Sequence, residues 1–192
     1  MTAFDKAFAI VIGHEGGFDA NREDPGNWTG GSVGSGELQG TNWGIASSAF
    51  ADELRALTLE LRTTMPSQVR DLTVDQACAI YRAAYWERIS ADSLPSALAL
   101  LVFDAAVNNG VGRAVLWLQG AVGAQMDGQM GPATLAAVIA FAARSGGAEL
   151  CSEFQAQRLA FMASLPTWRV FGLGWARRLC ALPYQSLTMG DA

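Results

Sequence analysis

HEGGFDANREDPGNWTGG, residues 14–31, and GTNWGI, residues 40–45, are the two stretches on which the reading of this chain turns. Upstream of them, Thr2 and Asp5 have the spacing of a capping box. Phe4, Phe8, Val11 and Glu15 then fall on one helical face, which predicts a helix ended by Gly16 and Gly17. Glu15 closes that apolar stripe at the carboxyl end of the helix. Desolvation and the negative end of the helix dipole both disfavour a carboxylate there, so both raise its pKa. An acid that keeps its proton near neutrality is what cleavage of a glycosidic bond requires. A plainer role, capping the helix end or pairing with Arg22, fits the local pattern as well. From Asn21 to Gly44 no periodicity is sustained and glycine recurs. A loop of this length within a compact domain is functional or disordered. Asp24 stands nine positions after Glu15 in a turn-forming Asp-Pro-Gly, so a second carboxylate can fold back beside the first. Thr41 and Asn42 then lead into Trp43-Gly44-Ile45.

Outward from the loop, the helical period takes over. It predicts helices over 51–62 and over 73–89, the second with Thr73 and Gln76 as a capping box and Ala77, Ile80 and Ala84 as a core stripe. Pro95 opens a further helix through Leu98, Leu101, Val102 and Ala105 to Gly110. Others follow over 113–122, 132–144, 148–164 and 173–182. Strand alternation is nearly absent, with room for a short hairpin around 32–41. The fold class is mainly α.

Composition narrows the function. The chain has 192 residues, of which 51% are hydrophobic and 16% charged, too apolar for a disordered chain and enough for a sizeable core. No apolar run reaches the roughly 18–20 residues that span a bilayer, so no membrane insertion is expected. Net charge is −5, and no basic stripe is visible, which argues against nucleic acid and against an anionic membrane surface. Cys78, Cys151 and Cys180 form no CxxC or Cys/His cluster and read as buried thiols within helices. His14 is the only histidine; a packing or hydrogen-bonding role suits it better than a metal. Neither a metal centre nor a Ser-His-Asp or Cys-His nucleophile can be assembled, and no cofactor is implied. Asp5 and Lys6 interrupt what a standard export signal needs, which implies synthesis in the cytoplasm without one.

Several aromatic and polar residues have two readings each. Tyr85 and Trp86 sit at helical spacing as core or as sugar-stacking rings. Trp43 adjoins Thr41 and Asn42 and is the better of the loop tryptophans for a sugar cleft. Asp104 interrupts an apolar helix together with Asn108 and Asn109. It either braces its surroundings or contacts substrate, since burial without hydrogen bonds would be costly. Trp168, Phe171 and Trp175 read as packing.

HEGGFDANREDPGNWTGG…GTNWGI resembles the signature of the glycoside hydrolase family 108 N-acetylmuramidases. LTVDQACAIYRAAYWERI, LALLVFDAAVNNGVGRAVLWLQ, DGQMGPATLAAV and FGLGWARRL are similar to later blocks of the same family. The resemblance implies a lysozyme-like helical region over 1–92 and a helical, predicted peptidoglycan-binding region over 93–185 packed on it. It implies cleavage between N-acetylmuramic acid and N-acetylglucosamine, with Glu15 as the catalytic acid. Asp24 and Thr41 are the expected catalytic partners, and Asn42, Trp43, Tyr85, Asp104 and Asn108 the expected substrate contacts. VGSGELQG departs from the family's shorter loop and leaves Thr29 as a rival to Thr41; the following Gly44-Ile45 favours Thr41. The expected partner is the glycan strand, reached by a monomer released through a holin or a secretion machine. A lytic transglycosylase and a non-catalytic wall-binding protein of phage type are the competing readings.

Overall fold

The computed structural model describes residues 1–13 and 17–189. Within them, nine α-helices run in order: α1 (Ala3–Ile12), α2 (Ser47–Leu54), α3 (Leu59–Thr63), α4 (Val74–Tyr81), α5 (Ser96–Asn109), α6 (Val111–Val122), α7 (Pro132–Ser145), α8 (Gly147–Ser164) and α9 (Trp168–Ser186). The one ladder among the described residues joins β1 (Thr41–Asn42) to β2 (Ile45–Ala46), antiparallel, with Thr41 opposite Ala46 and Asn42 opposite Ile45. The chain is therefore mainly α, as expected. The hairpin lies slightly later than expected, at 41–46. Within 32–41, isolated bridges pair Leu38 with Trp28 and Thr41 with Asp19.

Two predicted helices are interrupted, each for a local reason. Over 51–62 the helix breaks after Leu54, where buried Leu57 turns inward and Thr58 caps α3 by accepting from the Leu61 amide at 3.4 Å. Arg62 covers the carbonyls this break exposes, donating to those of Leu54, Arg55 and Leu57. Over 73–89, the Thr73–Gln76 capping box forms and α4 follows. The helix then loosens into a π-turn (Arg82–Trp86) and a 3₁₀ turn (Glu87–Ile89). π-turns inside helices are frequent at functional sites.

The chain gathers into two compact units, one of Phe8–Ala84 and one of Met1–Ala7 with the chain from Tyr85 onward. In the larger unit, α5 is the central element. Its residues from Leu98 to Ala106 are all buried, so it is enclosed on every face, and α6, α8 and α9 pack against it. Phe4, Trp86 and Phe103 meet edge to face there, with centroids 5.4–6.0 Å apart. Trp86 is fully buried, with its indole N–H on Asp92 Oδ1 at 2.9 Å, so it belongs to the core rather than to a sugar cleft.

The turn read from DGQMGPAT is held by buried Gln119. Its Nε2 reaches Asp127 Oδ1 (2.7 Å), the Gln129 carbonyl and Thr134 Oγ1, while its Oε1 accepts from the Gly128 amide. Pro132 then opens α7. The buried-thiol expectation needs correcting for Cys180, which is exposed because α9 turns Leu179 and Leu182, and not Cys180 or Ala181 between them, into the core. Cys78 and Cys151 are half-buried.

Candidate active site

From Gly17 onward the chain folds into a hydrogen-bonded loop within the Phe8–Ala84 unit. Asp19 and Thr41 bridge, exchanging both backbone bonds at 2.8 and 2.9 Å. Gly40, next to this bridge, has φ +83°, and a Cβ there would stand 2.5 Å from the Asp19 carbonyl and from the Phe18 ring. Only glycine fits. Arg70 lies over the other partner of that contact, its guanidinium 5.2 Å from the Phe18 centroid.

At the centre of the loop is Asn27, fully buried. Its Nδ2 donates to Asp19 Oδ2 (3.1 Å) and to the Asn21 carbonyl (3.0 Å), and its own carbonyl accepts from the Gln39 and Gly40 amides. Because both donors point at acceptors, the amide orientation is fixed, and Oδ1 is left as an acceptor. Thr41 Oγ1 lies 2.6 Å from it and must therefore be the donor. The Thr41 hydrogen is committed, and its oxygen presents only lone pairs to any further partner.

Asp24 is exposed and begins the Pro25–Asn27 turn. Its Oδ1 accepts from the Gly26 amide at 2.8 Å, while Oδ2 takes no bond among the described residues. Asp24 also links to the Thr41 system through its carbonyl, which accepts from the Asn27 amide at 3.2 Å. Thr29 is occupied differently: its Oγ1 accepts from the Glu37 amide at 3.0 Å and so folds the insertion back on the chain.

Trp43 and Gly44 form the two-residue turn of the β1–β2 hairpin, with φ +52° and +74°. Positive φ at both positions is the mark of a type I′ turn, which strongly prefers Asn-Gly or Gly-Gly. A tryptophan there is strained. It is held by its indole N–H on the Leu72 carbonyl (3.0 Å) and by Tyr81 Oη, which donates to the Trp43 carbonyl at 3.1 Å.

The expected residues thus fall into three groups. Asp24, Thr41, Asn42 and Trp43 are brought together in one loop system. Asn42 is only 5% exposed, and its Nδ2 is spent on the carbonyls of Val69, Arg70 and Leu72, so it ties the hairpin to that turn. Tyr85, half-buried in the π-turn, Asp104 and Asn108 belong to the other unit.

For Asp104, the substrate-contact reading gives way to the bracing one. It is fully buried, with Oδ2 on Arg158 Nη1 at 2.7 Å and Oδ1 on Arg178 Nε and Nη2 at 2.8 and 2.6 Å. Asn108 is exposed and its Nδ2 reaches back to the Asp104 carbonyl at 2.8 Å. Burial pushes the Arg158 pKa down, and Asp104 opposes that shift. Glu15 and His14 lie outside the described residues.

Asn27 and Asp19 were not singled out from the sequence. The signal for Asp19 was available, since it stands four residues after Glu15 in HEGGFD. Asn27 carried none, because its role depends on a turn that closes only in three dimensions. Among the described residues, no group of three or more His, Cys, Asp or Glu side chains could hold a metal ion.

The chain belongs to the glycosyl hydrolase 108 family, whose model matches residues 8–110. A predicted peptidoglycan domain matches residues 113–180. Among solved structures, the chain is similar to that titled "Structure of Brucella abortus SagA", at 31% identity over 97% of this chain and 94% of that one, with a TM-score of 0.75. No curated protein matches it. Together the two family matches make the chain a glycoside hydrolase acting on peptidoglycan.

Proposed function

We propose that the chain is an N-acetylmuramidase, cutting between N-acetylmuramic acid and N-acetylglucosamine with Glu15 as general acid. The observation that carries this reading is the Asn27-oriented Thr41 hydroxyl, hydrogen-bonded through the same turn to Asp24 in the loop that follows Glu15. Glu15 protonates the glycosidic oxygen as the sugar gains oxocarbenium character. The uncommitted Asp24 Oδ2 accepts a proton from water or stabilises the cation. A water beside Thr41 donates a hydrogen bond to its lone pairs, which leaves the water's own lone pair free for attack. On this reading, residues 1–92 carry the chemistry and 93–185 hold the wall.

Mass spectrometry of fragments from purified peptidoglycan tests the proposal. Parent protein should release reducing muramic acid ends, and Glu15→Gln should release almost none, since general acid catalysis is worth about 10²–10⁴ in rate. Anhydro-muramic ends, lighter by one water, would replace hydrolysis with transglycosylation. A folded Glu15→Gln protein retaining more than a tenth of parent turnover would remove Glu15 from the acid role.

A further inference from the structure

Residues 14–46 carry five carboxylates, Glu15, Asp19, Glu23, Asp24 and Glu37, against one arginine, Arg22. Peptidoglycan is itself anionic, so a loop of this charge needs a cation placed where the polymer meets it. One comes from outside the loop but within the same Phe8–Ala84 unit. Arg70 stands in the 3₁₀ turn Val69–Asp71; Val69 and Leu72 are buried, and Arg70 is exposed. Two separate ties hold it beside Thr41. Through the backbone, Asn42 donates to the carbonyls of Val69, Arg70 and Leu72 at 3.2, 3.0 and 3.3 Å, and the Trp43 indole adds a second bond to Leu72. Through the side chain, the guanidinium sits 5.2 Å from the centroid of the Phe18 ring. That ring lies so close to Gly40 that a Cβ there would stand 2.5 Å from it. Arg70 is thereby tied to the residue before Thr41 and to the residue after it.

The guanidinium makes no ion pair and no hydrogen bond among the described residues. Its contact with Phe18 uses the ring face and leaves the N–H donors of the planar fork uncommitted. A guanidinium held in one place with its donors free is a receptor for a carboxylate, which it can take by two parallel bonds. Phe18 is 45% exposed, which leaves part of the ring open to a sugar beside that carboxylate. Arg22, the loop's own cation, is also exposed, but its guanidinium sits on no ring and bonds to no described residue.

We propose that Arg70, seated on Phe18, binds a carboxylate on the lactyl arm of N-acetylmuramic acid, either the lactyl carboxylate itself or one on the stem peptide attached to it. N-acetylglucosamine carries a hydroxyl where muramic acid carries that arm, so the contact tells the two sugars apart and sets the register of the strand along the Thr41 loop. The proposal rests on the muramidase reading and adds to it the group that recognises the muramyl sugar.

The test uses glycan strands stripped of peptide, whose lactyl carboxylates are free, and strands that keep the stem peptide, each before and after conversion of the carboxylates to carboxamides. Turnover of the full chain is followed by release of reducing ends, and affinity by isothermal titration calorimetry in a Glu15→Gln background. Arg70→Gln should raise KM and Kd about tenfold on carboxylate-bearing strands, leave kcat within about twofold, and change neither constant on the carboxamides. A loss on stripped strands assigns the lactyl carboxylate; a loss confined to peptide-bearing strands assigns the stem peptide. Arg70→Lys keeps the charge without the fork or its stacking and should recover part of the loss. Arg22→Gln removes the same charge from the loop and should change KM by less than about twofold. An equal loss on carboxylate and carboxamide strands, or the same loss in Arg22→Gln, would overturn the proposal. If the parent releases muramic acid ends with no preference for carboxylate strands, this inference fails and the muramidase reading stands. If it releases none yet binds carboxylate strands more tightly through Arg70, the muramidase reading fails and the carboxylate site stands.

Discussion

Thr41 Oγ1 donates to Asn27 Oδ1 at 2.6 Å, and Asn27 cannot reverse the arrangement because its Nδ2 is bound to Asp19 and Asn21. The threonine oxygen is consequently a fixed acceptor. Thr41→Ser keeps that geometry and should retain most activity. Thr41→Val keeps the shape but loses the oxygen, and should cost about 10²-fold in kcat, the scale set by misplacing a reactant. Thr29→Ala, which disturbs only the fold of the insertion, should cost less than Thr41→Ala. Turnover on purified peptidoglycan ranks the four variants; the opposite threonine order would move the water-orienting role to Thr29.

The Asp104 cluster gives a stability prediction with an internal control. Asp104→Asn leaves fully buried Arg158 without its carboxylate, and breaking a buried pair costs about 3–5 kcal/mol. At roughly 2–4 °C per kcal/mol for a chain of this size, the melting temperature should fall by about 6–20 °C. Replacing all three charges, with Asp104→Leu, Arg158→Met and Arg178→Met together, should cost less than the single substitution because no charge is left stranded. A triple variant less stable than Asp104→Asn would show that the cluster contributes net stability.

Much of this was legible in the sequence, and the exceptions have identifiable physics. The helical period located every long helix but stopped α9 short, at 173–182 against Trp168–Ser186. It carried 51–62 and 73–89 too far, because Leu57 burial and the π-turn at Arg82 are decided by tertiary packing. The loop residues Asp24, Thr41 and Trp43 were legible from spacing and turn chemistry. Asn27 was not, since its side chain serves residues 19, 21 and 41 only after the turn has closed. Asp104 was recognisable as costly, but its partners lie 54 and 74 positions away, beyond any local pattern.

Asp127 ties acid stability to the DGQMGPAT turn. The Gln129 amide, and then Gln119, hold its carboxyl below the ordinary value of 3.8. A carboxylate with a lowered folded pKa stabilises the fold above its unfolded value, and this contribution is lost as pH falls through the folded one. The stability difference between parent and Asp127→Asn should therefore be constant near neutrality and shrink only below about pH 3.8. Urea melts across pH 2–7 measure it; a gap that widens toward low pH would contradict the assignment.

The pH dependence of lysis tests the acid at Glu15 by a route independent of family resemblance. A general acid must be protonated to act, so the rate falls as pH rises through its folded pKa. As the general acid proposed above, Glu15 sets the alkaline limb. Asp24→Asn should lower the rate by a smaller factor than Glu15→Gln and leave the position of the alkaline limb unchanged. Salt adds a further check: protein and wall are both negative, so moderate salt should raise the rate by screening their repulsion. A profile without an alkaline limb below about pH 9 would contradict an acid at Glu15. Inhibition by salt at every concentration would instead locate wall binding on a basic surface, for which Arg169 and Arg177 of α9, a helix with no acidic residue, are the first candidates.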